Sequence, residues 1–271
     1  FCLLNGALHL KKLHESSRTV MRPSLEEAKY LRRSGNVIPV YKSVIADFLT
    51  PVSAFLRLRE NSRYAFLLES VEGAEKLARY SFLGCDPFLV LSTGPNSAPS
   101  SFDDSESVEH RHYGLGEERA FFEDLRRTTE QFKAVQVSGL PPFSGGAVGY
   151  FGYDMVRLVE DVPATGFDEF GTDDAVMMFF RTILAFDHPR NQIHIMSNIV
   201  LNDGDAQIDD LYEQAKSEIQ TTQMLLARPF KMPEPTRTDN KIAVHSNFKK
   251  EDYLQAVRRA KDYIAAGDIF Q

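Results

Sequence analysis

The sequence lacks the features that mark secreted, membrane-spanning and nucleic-acid-binding proteins. It has two cysteines in 271 residues, Cys2 and Cys85, which form neither a disulfide framework nor a metal-binding spacing. This usage favours a reducing compartment, so we predict a cytoplasmic protein. No apolar run approaches the roughly 18 residues of a membrane-spanning helix. The net charge of −7 argues against a nucleic-acid surface, and we predict neither a nucleic-acid nor a membrane partner.

What is present is the composition of an ordinary globular protein, with 43% hydrophobic and 25% charged residues. A chain of this length suits one large domain, or one domain and part of another. The proline-bearing segment 229–240 favours the second arrangement because such segments commonly link domains. We therefore predict a domain over residues 21–228, a linker over 229–240 and the start of a second domain over 241–271.

The first twenty residues do not look like the start of a folded domain. Phe1 is not an initiator, whereas Met21 lies just before Ser24 and Glu27, which have the spacing of a helix-starting capping box. We therefore expect residues 1–20 to be a non-native or disordered extension.

The last residues resemble the opening of a domain. Tyr253, Val257 and Ile264 recur at helical spacing, and Gly267 stands where a helix commonly ends. Because an isolated amphipathic helix cannot bury its apolar face, we expect the second domain to be truncated.

Between residues 37 and 228, strand-like and helix-like segments alternate without a regular period. We predict strands over 37–41, 64–70, 88–91, 175–187 and 192–201, and helices over 51–59, 117–132 and 205–226. The stretch 94–116 is rich in Ser, Pro, Asp and Glu, and we expect a mobile surface loop. It includes His110 and His112, whose spacing without other ligands gives little support to a metal site. For His194, on a predicted strand, we expect a packing role.

Residues 144–154 form the sharpest local pattern, with glycines at 145, 146, 149 and 152. The spacing matches neither a dinucleotide-binding nor a phosphate-binding loop. Glycines three apart among apolar residues suit a buried strand that another backbone approaches closely. We therefore predict a structural role for this segment.

The segment Leu67–Ser70 ends a predicted strand with two polar residues, Glu69 and Ser70. In one interpretation the Ser70 hydroxyl bonds to the following turn. In another, a carboxylate and a hydroxyl at the mouth of an apolar cleft bind a small ligand that carries an amine.

Four stretches together resemble anthranilate synthase component I, the chorismate-converting subunit of tryptophan biosynthesis. They are residues 67–70, 79–87, 145–160 and 253–271, and they occur in the family's order. The large subunit of aminodeoxychorismate synthase, from folate synthesis, shares the fold with looser versions of these motifs. The run over residues 149–160 looks more like the tryptophan branch.

This resemblance implies an α/β (α+β) protein roughly twice this length, with a two-layer antiparallel β-sandwich flanked by helices. It implies conversion of chorismate and glutamine-derived ammonia to anthranilate and pyruvate, with Mg²⁺ and a glutamine amidotransferase partner, component II. It also implies that the catalytic and Mg²⁺-binding residues lie in a C-terminal half that starts near Lys241. We therefore assign no catalytic residue here and expect the chain alone to be inactive.

For this part of the chain the resemblance implies a feedback site for the inhibitor L-tryptophan. The family's motif places the inhibitor contact on Ser70, with Glu69 beside it, and Arg79 is a further candidate by its proximity to the motif. Three alternatives stay open: an aminodeoxychorismate synthase, a stand-alone tryptophan-binding module and a fragment without function.

Overall fold

The computed structural model describes residues 20–69, 79–95, 108–163, 168, 170–201, 207–229 and 245–271. The chain divides into two compact units, residues 1–230 and 231–271. In the first unit the helices are α1 (Leu25–Leu31), α2 (Pro51–Leu58), α3 (Glu118–Gln131) and α4 (Ile208–Ala227). Its strands are β1 (Val37–Ile45), β2 (Ala65–Leu68), β3 (Tyr80–Cys85), β4 (Leu89–Thr93), β5 (Glu109–Tyr113), β6 (Gly146–Phe151), β7 (Ala175–Phe180), β8 (Thr182–Asp187) and β9 (Gln192–Val200).

The strands form two sheets. The five-stranded sheet has the order β1-β9-β8-β3-β2, and all its pairs are antiparallel. The four-stranded sheet has the order β5-β4-β7-β6, in which β4 and β5 pair in parallel and the other pairs are antiparallel. The predicted fold class, mixed α and β with antiparallel sheets, is confirmed.

The two sheets pack face to face, and helices cover their outer faces. Phe66, Ile183 and Met196 of the five-stranded sheet share a core cluster with Phe180 and Val148 of the four-stranded sheet. Buried residues of α1, α2 and α4 pack on the other face of the five-stranded sheet. Phe121 of α3 packs on the outer face of the four-stranded sheet. The result is the predicted sandwich with flanking helices.

Local sequence signals start the first two helices. The Ser24 hydroxyl accepts a hydrogen bond from the Glu27 amide, and the Glu27 carboxylate accepts one from the Ser24 amide. Thr50 and Ser53 form the same reciprocal arrangement at α2, where Pro51 occupies the first turn. Each arrangement satisfies backbone donors that a helix start leaves free.

The predicted single strand over residues 175–187 is wrong. It is two strands in different sheets, β7 and β8, and Arg181 alone separates them. Both strands are apolar because each faces a core cluster. No glycine or proline marks the crossing, so the sequence reads as one continuous strand.

The predicted loop over residues 94–116 is wrong for its last part, where Glu109–Tyr113 forms the edge strand β5. Its partner β4 supplies the backbone pairing, and the Ser92 hydroxyl lies 2.9 Å from Nδ1 of His112. Residues 96–107 of the predicted loop lie outside the described residues, as does nearly all of the predicted extension 1–20.

The glycine-rich segment forms β6, an edge strand with exposed residues, so the prediction of a buried strand is wrong. The predicted close approach of another backbone is confirmed at Gly149. A Cβ atom on Gly149 would overlap the carbonyl oxygen of Val176 in the neighbouring strand β7. Only glycine therefore allows this pairing distance.

The second unit contains α5 (Lys250–Ala266). Gly267 ends this helix in the left-handed region at φ 84°, as predicted, and its amide donates to the Ile264 carbonyl. The predicted apolar stripe, which includes Val257 and Ile264, is exposed. Within the described ranges, no helix has both the length and the apolar character needed to cross a membrane.

Candidate functional site

The antiparallel pairing of β2 and β3 brings two of the predicted site residues to the same end of the five-stranded sheet. The last pair is Leu68 with Phe82, and Glu69 follows β2 directly. Arg79 immediately precedes β3, so it lies at the same end. Glu69 is exposed. Ser70, the third predicted residue, lies outside the described residues.

The guanidinium of Arg79 is bound to a buried carboxylate. Its Nη2 donates to Oδ2 of Asp187 at 2.7 Å, and its Nε donates to Oδ1 at 3.3 Å. Asp187 is 1% exposed. These hydrogen bonds raise the pKa of Arg79, against the opposing effect of desolvation. Arg79 therefore offers no free positive charge to a ligand, because the Asp187 carboxylate already neutralises it.

Backbone register explains this pair. Tyr80 is the register partner of Asp187, so Arg79 lies one residue beyond the paired position. The His188 amide donates to the Arg79 carbonyl at 3.1 Å, which holds the main chain in place. The guanidinium also lies over the Tyr80 ring, 4.9 Å from its centroid.

The structure adds three residues that the sequence did not single out. Asp187 holds Arg79, and Arg190 approaches the same carboxylate at 3.9 Å. His188 Nε2 lies 2.8 Å from the Ser81 hydroxyl. A charged residue at the end of an apolar strand is the signal that could have identified Asp187.

His194 lies inside the five-stranded sheet, and the expected packing role is confirmed. It is 4% exposed, and its ring is edge-on to Tyr41 at a centroid distance of 6.3 Å. Nδ1 lies 2.8 Å from the Ser43 hydroxyl, while Nε2 has no hydrogen-bond partner among the described residues. Desolvation lowers the pKa of His194, although Asp187 acts in the opposite direction.

The described residues do not fit a metal ion. Among them, no group of three or more His, Cys, Asp or Glu side chains is placed to bind one. Asp124, a buried carboxylate, accepts hydrogen bonds from Arg111, Arg127 and Tyr113 instead. Burial opposes its ionisation, but these donors outweigh burial and lower the pKa of Asp124 to about 2.

The charges at this end of the sheet determine which groups it can bind. Glu69 presents a carboxylate to solvent beside the neutralised pair of Arg79 and Asp187. A carboxylate in this setting can accept charge-assisted hydrogen bonds from an ammonium group. The β3 strand behind it contributes the apolar surface of Phe82 to the sheet face.

Known proteins match most of the chain. Residues 65–271 match the family model described as chorismate binding enzyme. Anthranilate synthase component 1 of Acetivibrio thermocellus is 38% identical over 256 residues, which cover 92% of this chain and 49% of that protein. The Synechocystis protein of the same name is 32% identical, covering 93% of this chain and 50% of that protein. The resemblance predicted from the motifs is thus confirmed.

The chain spans about half the length of the relatives that it matches. A crystal structure of anthranilate synthase component I from Streptococcus pneumoniae TIGR4 matches with a TM-score of 0.44 and 21% identity. The match covers 83% of this chain and 46% of the Streptococcus pneumoniae chain. The fold of this chain follows from the strand order of its own two sheets. Because the family match extends over more than half of the sequence, the chain belongs to the family of chorismate binding enzymes.

Proposed function

We propose that the complete protein carrying this sequence is the large subunit of an anthranilate synthase. It converts chorismate and ammonia to anthranilate and pyruvate, the first committed step of L-tryptophan biosynthesis. The observation that carries this proposal is the similarity to proteins named anthranilate synthase component 1, which extends over 92% of this chain at 38% identity.

The proposed partner is a glutamine amidotransferase, component II, which supplies ammonia from glutamine. The proposed ion is Mg²⁺, which when bound would neutralise charge on the chorismate carboxylates. The residues described here do not form a metal site, so no catalytic step is assigned to them. A cytoplasmic location remains a prediction from the cysteine usage.

We further propose that this part of the protein binds L-tryptophan as a feedback inhibitor, through Ser70 and Glu69. The neutralised pair of Arg79 and Asp187 supports a role for Glu69, because it leaves the Glu69 carboxylate available to an ammonium group. A hydrogen bond to a charged group contributes about 1.5–3 kcal/mol. In this proposal Arg79 is a positioning residue that fixes the end of β3 beside Glu69.

Inhibition requires a difference in affinity. Tryptophan stabilises a less active arrangement, relative to the active one, only by the difference between its binding free energies for the two arrangements. A substitution that weakens binding at Glu69 or Ser70 is therefore expected to relieve inhibition without changing the chemistry of turnover.

Product identification tests the enzymatic proposal. The complete protein is incubated with chorismate, ammonium and Mg²⁺, and the product is separated by chromatography and detected by fluorescence. We expect anthranilate, in an amount proportional to protein concentration. Formation of aminodeoxychorismate would place the protein in the folate branch instead. Tryptophan binding without any aminated product would identify a stand-alone regulatory module.

A further inference from the structure

Arg181 lies where the chain crosses from one sheet to the other. It is the single residue between β7 and β8. Its carbonyl oxygen accepts hydrogen bonds from both the backbone amide and Nδ2 of Asn198, each at 3.0 Å. These two hydrogen bonds from the buried Asn198 fix the main chain of Arg181. The position of the Arg181 Cα atom, from which the side chain extends, is therefore fixed as well.

Among the described residues, the Arg181 guanidinium has no hydrogen-bond partner. Its Nε is buried and has no partner among the described residues. Its Nη1 lies 3.9 Å from Oε1 of Glu218, beyond hydrogen-bonding distance. The guanidinium lies over the ring of Phe88 at 5.6 Å from the centroid. A buried donor without an acceptor is costly, so an anion that reached Nε would satisfy it.

Arg181 lines a cavity of about 170 Å³, and so does Phe88, the residue whose ring lies under the guanidinium. Four phenylalanines line it: Phe88, Phe132, Phe179 and Phe180. An apolar cavity of roughly 150 Å³ is large enough to bind benzene. The cavity beside Arg181 therefore has space for one six-membered ring.

The glycine-rich segment forms one wall of this cavity. Gly145, Gly146 and Ala147 line it, together with Asn198. A Cβ atom on Gly145 would overlap the Asn198 amide, whose Nδ2 donates to the Ser144 carbonyl at 2.8 Å. Small residues here keep the cavity open and leave Asn198 in the position that fixes Arg181.

We propose that this cavity binds a monocyclic aromatic carboxylate, with its ring among the lining phenylalanines and its carboxylate on the Arg181 guanidinium. The proposed ligand has an apolar ring and an anionic group because the lining is largely aromatic and aliphatic and Arg181 is the one charged residue among the described residues that form it. This cavity shares no residue with the proposed tryptophan site at Glu69 and Ser70.

Glu218 is the carboxylate that faces Arg181, and it sets the strength of binding. It already accepts hydrogen bonds from Thr182 at 2.9 Å, Ser197 at 2.6 Å and Gln214 at 3.1 Å. Glu218 also forms a long ion pair with the Arg181 guanidinium at 3.9 Å, so its negative charge weakens the attraction of an incoming anion. Removing that charge in E218Q is therefore expected to tighten binding.

A fluorobenzoate titration followed by fluorine NMR tests this proposal on the full 271-residue chain. We expect saturable binding to the wild type and binding weakened about tenfold in R181Q, where the charge-assisted hydrogen bond is lost. The matched control is R126Q, an exposed arginine of α3, for which we expect a change within about twofold. The uncharged probe fluorobenzamide is expected to bind at least about tenfold more weakly than fluorobenzoate.

A147L, which fills the cavity, is expected to abolish binding of fluorobenzoate while circular dichroism shows a folded protein. If this variant does not fold, R181Q and the benzamide comparison decide the question. Absence of saturable binding to the wild type at millimolar fluorobenzoate would overturn the proposal. Equal affinity of the wild type and R181Q would overturn it as well.

Discussion

The guanidinium of Arg79 donates to both carboxylate oxygens of Asp187, at distances of 2.7 and 3.3 Å, although the two residues are 108 positions apart in sequence. The contact joins the start of β3 to the end of β8. It lies at the end of the sheet where Glu69 leaves β2, so it determines which charges are available beside the candidate regulatory site.

Replacing Arg79 with glutamine is expected to destabilise the chain, because a buried carboxylate loses its bidentate partner. The melting temperature of R79Q should fall further than that of R126Q, which removes only exposed ion pairs. The double variant R79Q/D187N should recover part of the loss, since it leaves no unpaired charge. Additive effects of the two substitutions would show that the pair is not coupled.

The second prediction concerns Asp124, which three side chains hold in its ionised form. Its pKa of about 2 lies below the roughly 3.9 of an unfolded chain, so ionised Asp124 stabilises the fold above about pH 4. This contribution is lost as the pH falls towards 2. Allowing for solvent around the partly exposed arginines, we expect about 1–2 kcal/mol.

Urea unfolding from about pH 6 to about pH 3 measures this contribution. At about pH 6, D124N should have a lower free energy of unfolding than the wild type. The difference between the two proteins should shrink as the pH falls towards about 3. Parallel pH dependences of the two proteins would contradict the role assigned to the Asp124 carboxylate.

The third prediction concerns His194. In the folded state, desolvation lowers the pKa of this residue. Because the unfolded chain protonates this residue near pH 6.5, neutral His194 contributes stability above that pH. The contribution is lost as the pH falls below it towards the folded-state pKa. The wild type should therefore lose stability relative to H194Q when the pH is lowered from about 7.5 to about 5.5. The control is H245Q, which replaces an exposed histidine. Its stability should change with pH in the same way as that of the wild type.

The fourth prediction concerns Gly149, where β6 meets β7. In G149A the new methyl group would overlap the Val176 carbonyl oxygen, so the strands must separate. We expect a loss of about 2–3 kcal/mol in the free energy of unfolding. The control is G114A, whose new methyl group would have only an ordinary contact, at 3.5 Å from Glu117. Equal stability of the two variants would contradict the close approach.

The features that were predictable from sequence are those that depend on neighbouring residues. The capping pair at Ser24 and the helix end at Gly267 follow local rules, and the structure confirms them. The motif resemblance points to Glu69, and Arg79 is a candidate only by its proximity to that motif. The antiparallel pairing of β2 and β3 places both residues at one end of the sheet.

The features that were missed depend on long-range contacts. The crossing at Arg181 carries no turn signal. The strands before and after it, β7 and β8, are both apolar because each packs into a hydrophobic core. The polar segment of β5 is a strand only because β4 pairs with it, and Arg111 there also binds the buried Asp124. Asp187 could not be linked to Arg79 without the register of β3 and β8.

We propose that this chain carries the feedback-binding part of an anthranilate synthase. The most direct test of this proposal is tryptophan inhibition of ammonia-dependent anthranilate formation, measured for the complete protein and for its Ser70→Phe variant. We predict that tryptophan inhibits the wild type, whereas the variant retains nearly full turnover and resists inhibition. Equal inhibition of both proteins by tryptophan would contradict the account.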